Sequence, residues 1–100
     1  MKPLGFVILT VEYRQEEGCW TARCPELGTS MFGETFEEAQ EAIREAIHLH
    51  LNGLEETGER ERFFKEHHIK LYQHRPADAA LKLPAVENTA YQALIQPVGV

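Results

Sequence analysis

Residues 24–47 read CPELGTSMFGETFEEAQEAIREAI, and their reading decides the fold. Pro25 has no N–H to donate, so it stops any strand that reaches it. Glu26 to Gly28 then form a turn. Thr29 to Gly33 is a short run bounded by glycines and predicts a strand. Thr35 is a natural helix N-cap, and Glu38 three residues later completes a capping-box pattern. Glu37 and Glu38 also suit the positive end of a helix dipole. From Phe36, apolar residues recur at steps of three and four: Ala39, Ile43, Ala46, Ile47, Leu51 and Leu54. Gln40 and His50 fall on the same stripe, while Glu37, Glu41, Arg44, Glu45, His48, Asn52 and Glu55 fall opposite. This is the pattern of an amphipathic helix with one buried face, closed by Gly58.

Upstream, Val7, Leu9, Val11 and Tyr13 alternate with Ile8, Thr10, Glu12 and Arg14, which predicts a strand over 6–14. Gln15 to Gly18 is a polar turn ending in Gly. A second strand spans 19–24, with Trp20, Ala22 and Cys24 on one face and Thr21 and Arg23 on the other. Downstream, residues 59–68 predict a short second helix whose large apolar residues are Phe63 and Phe64. The run IKLY over 69–72 alternates and predicts a fourth strand. Residues 73–88 are rich in Pro and Ala and predict a linker or an extended arm. Residues 89–100, TAYQALIQPVGV, alternate again. They fit a last strand or an arm that pairs with another subunit.

The expected fold is α+β: a three-stranded antiparallel sheet plus a fourth strand, in the order βββαβ. One long amphipathic helix packs on one face, and an extended C-terminal arm or strand follows. Residues 1–72 form the module and residues 73–100 its appendage.

A chain of 100 residues has room for one modest core. The N-terminal apolar run is short and is followed by charges with no cleavage site, so it reads as a strand and the expected location is cytoplasmic. The formal net charge is −6, every acid except Asp78 is Glu, and the cations form no stripe. Direct nucleic-acid binding is therefore not expected. An acidic surface suits a basic protein partner, although acidity also serves solubility. Cys19 and Cys24 fall on opposite faces of one strand, so they predict two reduced thiols and no bridge.

No Walker motif, Gly-rich phosphate loop or Ser/His/Asp set is visible, and no cofactor or metal is expected. Nuclease chemistry needs several convergent carboxylates holding metals, and the first strand offers only Glu12. His48 and His50 lie two apart on a helix and point in different directions. His67, His68 and His74 complete the histidines, and surface roles suit all five. Enzymatic activity is not expected. Phe63 and Phe64 admit two readings: packing against the sheet and the helix end, or an exposed aromatic anchor for a partner. With Tyr72 they are the candidate partner-binding residues. Gly33, Thr35 and Glu38 are scaffold for the helix start.

Taken in order, Pro25-Glu26-Leu27, Gly33-Glu34-Thr35, Glu37-Glu38-Ala39 and Glu45-Ala46-Ile47 resemble the motifs of the HicB family. The stretch GERERFFKEHHIKLY over 58–72 is similar to its continuation in one branch of that family. HicB proteins are the antitoxin partners of small toxin ribonucleases. The resemblance covers residues 6–72 and implies a truncated ribonuclease-H-like module that binds a small basic toxin and covers its active site. Many members add a C-terminal DNA-binding segment. Residues 73–100 are too short and too Pro-interrupted for a helix–turn–helix, and they carry no basic arm. An orphan homo-oligomeric structural protein of the same fold, with no toxin partner, is the alternative. A homo-oligomer is expected on either reading, since a four-stranded sheet has two open edges to blunt or pair.

Overall fold

The computed structural model describes residues 3–76 and 89–99. Strand β1 (Gly5–Glu16) turns through Glu17 and Gly18, both with positive φ, into β2 (Cys19–Cys24). A two-residue turn of this handedness matches the twist of the strands it joins. It sets the antiparallel register Glu16↔Cys19 through Glu12↔Arg23. Pro25 ends β2, and the turn closes where the Gly28 N–H donates to the Pro25 carbonyl at 3.3 Å. Strand β3 (Thr29–Gly33) then returns beside β2, with Cys24↔Thr29 and Trp20↔Gly33 as its outermost pairs.

Helix α1 (Phe36–Glu56) starts where the sequence places it. The Thr35 hydroxyl accepts from the Glu38 N–H at 3.1 Å. The Glu38 carboxylate reaches back to the N–H of Glu34, at 2.9 Å, and not to that of Thr35 as the strict capping box has it. Gly33 is required by a close approach. A Cβ there would meet the Glu38 carbonyl carbon at 2.8 Å, Ala39 Cα at 2.9 Å and the Ala39 nitrogen closer still. Gly58 closes the helix in the left-handed region, φ 72. Its N–H donates to the Glu55 carbonyl at 3.2 Å, and the Glu59 N–H to the Leu54 carbonyl at 2.9 Å. This is the paired closure of a Schellman motif.

Helix α2 (Arg60–Glu66) follows. The alternating run after it does not become a strand. The Ile69 N–H donates to the Phe64 carbonyl at 2.8 Å, so the start of the run is spent closing α2. Only Tyr72 reaches the sheet, as a single antiparallel bridge to Phe6. The expectation of a fourth strand over 69–72 is corrected accordingly.

The fourth strand is β4 (Thr89–Val98), antiparallel to β1 from Gly5↔Val98 to Arg14↔Thr89. The sheet order is β3-β2-β1-β4. Of the 73–88 segment expected as a linker or arm, residues 77–88 lie outside the described residues. Residues 89–98 are the strand of the two alternatives the sequence left open.

The core lies between α1 and one face of the sheet. Val7, Leu9, Val11 and Tyr13 of β1 and Ala22 and Cys24 of β2 meet Ala39, Ile43, Ile47 and Leu51 of α1. Phe36 sits at the helix entrance, 4.7 Å from the Tyr13 ring and 5.2 Å from that of Trp20. Leu94 and Val98 close the β4 side, and Phe64 the α2 side. Ile43 and Ile47 have no solvent exposure, and truncating such a side chain to Ala costs about 2–5 kcal/mol. The helix stripe thus holds the sheet in shape and leaves the opposite sheet face uncovered by any described element. The fold is α+β, with one helix layer on a four-stranded antiparallel sheet.

Candidate interaction surfaces

The polar side of α1 presents Glu37, Glu41 and Glu45 at four-residue spacing, all exposed, with Glu34 and Glu38 beside them. Like charges four apart on a helix repel by a few tenths of a kcal/mol per pair. No ion pair among the described residues engages any of these five carboxylates. Arg44 is the one cation in that stretch. The ion pairs that form lie elsewhere: Arg60 with Glu55 at 2.6 Å, Arg62 with Glu59, and Arg14 with Glu12 at 3.4 Å. A helix surface with uncompensated negative charge is therefore displayed on a well-capped element.

The uncovered sheet face has a different character. Phe6 and Ile8 of β1 lie across from Pro97 and Ile95 of β4, and Thr10 and Glu12 from Ala93 and Tyr91. All are half-buried. Toward β3 the same face carries Arg23 and ends on Phe32, which is 71% exposed. The β1–β4 half of this face is apolar at its Phe6, Ile8, Ile95 and Pro97 end and polar toward Thr10 and Glu12, and the β2 half is mixed.

The three aromatic candidates separate. Phe64 is 5% exposed and belongs to the core, so the anchor reading does not hold for it. Its ring carries the Arg60 guanidinium at 5.9 Å. Phe63 is half-buried between two imidazoles, stacked on His67 at 4.0 Å and tilted against His50 at 5.5 Å. His50 in turn shares a hydrogen bond with the Thr29 hydroxyl at 3.3 Å. Tyr72 is half-buried at the single bridge to β1, with the Lys70 ammonium 4.9 Å above its ring. Phe63 and Tyr72 thus have different neighbours. Gly33, Thr35 and Glu38 do sit together at the helix start, as scaffold.

Two half-buried polar devices escape a reading of the sequence. Glu26, in the turn after β2, directs both carboxylate oxygens to the N–H of Thr10, at 3.1 and 3.0 Å. The Tyr13 hydroxyl donates to Gln92 Oε1 at 2.9 Å, tying β4 to the core. Burial raises the Tyr13 pKa above its ordinary value, against the opposing effects of the Arg44 charge and a hydrogen bond with Gln40. A carboxylate just after a strand-stopping Pro is the only sequence signal for the first device. The second pairs residues too far apart for local pattern to find.

Both cysteines are free, Cys24 buried and Cys19 half-exposed. Burial pushes the Cys24 thiol up to about 11, and such a thiol is a poor nucleophile near neutral pH. Among the described residues, no three His, Cys, Asp or Glu side chains converge as metal ligands. No described helix is long and apolar enough to cross a membrane. Comparison with known protein families, curated proteins and solved structures finds no match to this chain.

Proposed function

We propose that the chain is a HicB-like antitoxin-type module that binds and neutralises a small basic ribonuclease toxin. The carrying observation is the uncompensated acidic face of α1, where Glu37, Glu41 and Glu45 stand exposed and unpaired among the described residues. A protein that grips RNA presents Lys and Arg to the phosphates. The same cations meet carboxylates favourably, and the meeting relieves the repulsion stored along the helix. The module occludes the toxin by contact and performs no chemistry of its own. The order of the Pro-x-Leu, Gly-x-Thr and Glu-Glu-Ala motifs supports the same reading by resemblance. A stand-alone homo-oligomer without a toxin is the second reading. The uncharged outer strand β4 favours self-association, which either reading accommodates.

The test is RNA protection. The proposal expects a small basic protein to be encoded beside this gene; that protein is purified and its cleavage of RNA measured with and without the chain. The proposal expects cleavage to stop near an equimolar ratio. Undiminished cleavage with the chain in excess, or no such neighbouring reading frame, rejects it.

A further inference from the structure

We propose that two copies of this chain pair through the outer edges of their β4 strands, in antiparallel register about a two-fold axis at Ala93. The inference does not depend on the antitoxin reading. Phe6 exchanges both backbone hydrogen bonds with Tyr72, at 2.8 Å each, on the β2 side of β1. Strand alternation therefore turns the backbone groups of Val7, Leu9 and Val11 toward β4, where Gln96, Leu94 and Gln92 meet them. The intervening β4 residues Thr89, Tyr91, Ala93 and Ile95 direct their N–H and C=O groups outward. Pro97, which has no N–H, occupies an outward position, where the loss costs the existing sheet nothing. Among the described residues nothing pairs with this edge, since β4 ends the sheet.

A second copy suits the edge better than any other occupant, for two reasons. Each chain carries a net charge of −6, so copies repel wherever their acids face each other. β4 is a ten-residue strand without Asp, Glu, Lys, Arg or His, so it lacks the Lys or inward charge that guards edge strands against self-pairing. The edge is also self-complementary. With Ala93 on the axis, every outward N–H from Tyr91 to Ile95 meets an outward C=O of the other copy. Tyr91 then lies opposite Ile95 on the uncovered face, an aromatic and β-branched cross-strand pair. The apolar strip of Ile8, Ala93 and Ile95 becomes continuous across the axis. The two sheets merge into one, and the acidic α1 face of each copy stays outside.

The experiment uses the full chain. Light scattering after size exclusion is expected to give an assembly above the 11.4 kDa monomer, and Ala93→Glu, which places two carboxylates on the axis, is expected to halve its mass. In a Cys19→Ser background, Ala93→Cys is expected to cross-link copies under mild oxidation, because Cα atoms of a hydrogen-bonded pair lie at about 5.5 Å. Phe32→Cys in the same background, on the far edge strand, is expected not to. If Ala93→Glu fails to fold, the two cysteine variants decide. A monomeric wild-type chain, an assembly that folded Ala93→Glu leaves intact, or cross-linking through Phe32→Cys in place of Ala93→Cys overturns the proposal.

Discussion

Both carboxylate oxygens of Glu26 accept from the backbone N–H of Thr10, at 3.1 and 3.0 Å. The bond stands in for a strand. β2 ends at Cys24, opposite Val11, so β1 runs on with an unpaired edge. Glu26 covers that edge at Thr10, and Tyr72 covers it at Phe6. Glu26→Ala leaves a half-buried N–H without its partner and is expected to cost about 1–3 kcal/mol in denaturant unfolding. Glu26→Gln, which keeps an acceptor, is expected to lose less. A loss no greater than that of the exposed Glu37→Ala contradicts this role.

Gly33 allows the end of β3 to run against the first turn of α1. Gly33→Ala drives a Cβ into the backbone of Glu38 and Ala39, which cannot move without breaking the cap. The expected cost is about 3 kcal/mol or more, read as a large fall in melting temperature. A variant that melts with the wild type places the close approach elsewhere.

The helix start is scaffold, so its variants separate stability from binding. Thr35→Ala removes the acceptor for the Glu38 N–H and is expected to cost about 1 kcal/mol. Glu38→Ala leaves the Glu34 N–H without its partner and is expected to cost about 0.5–1 kcal/mol. Thr35→Ala, once folded, is expected to bind a partner as wild type does, and Glu38→Ala to lose far less binding than substitution of Glu37, Glu41 and Glu45. Wild-type stability with lost binding assigns Thr35 or Glu38 to the interface.

Cys24 makes alkaline stability a reporter of the core. Its thiol is pushed up to about 11 from 9.0, mainly by burial. The folded state therefore holds the proton more tightly than the unfolded chain, and stability falls as pH rises from 9 through 11. Burial of Tyr13 acts in the same direction. Cys24→Ala is expected to flatten the slope over that window without abolishing it. At neutral pH an alkylating reagent is expected to modify Cys19 and to reach Cys24 only on unfolding. Equal modification of both thiols in the folded chain contradicts the burial.

Most of this fold is legible where local pattern and tertiary structure agree. The alternation of Val7, Leu9, Val11 and Tyr13 and the stripe of Ala39, Ile43, Ile47 and Leu51 each report one buried face, and the two faces meet. The Thr35 cap and the Gly58 stop are equally local. Ile69–Tyr72 misleads because alternation reports a local preference and not a vacant edge. Its first residue is committed to the end of α2, and only Phe6 remains for it to pair with. β4 is ambiguous for the same reason: whether such a run joins a sheet depends on β1, some eighty residues away in the chain (Tyr13 bonds Gln92 across 79 positions). Phe63 and Phe64 are adjacent and alike in sequence. Only the helix phase assigns Phe64 to the core and Phe63 to the cleft between His50 and His67. The acidic α1 face is legible as charge at helical spacing, whereas its lack of ion pairs emerges only from the arrangement of Arg14, Arg60 and Arg62.

The most direct measurement is RNA cleavage by the small basic ribonuclease that the proposal expects to be encoded beside this gene, titrated with the wild-type chain and with Glu37→Lys/Glu41→Lys/Glu45→Lys. All three positions are exposed, so the variant is expected to fold, with its melting curve as the control. Wild-type chain is expected to stop cleavage, and the folded triple variant to require at least tenfold more protein, as about 1.4 kcal/mol of lost binding gives. Equal protection by the two proteins contradicts the assignment of α1 as the binding face. Protection by neither contradicts the antitoxin account itself.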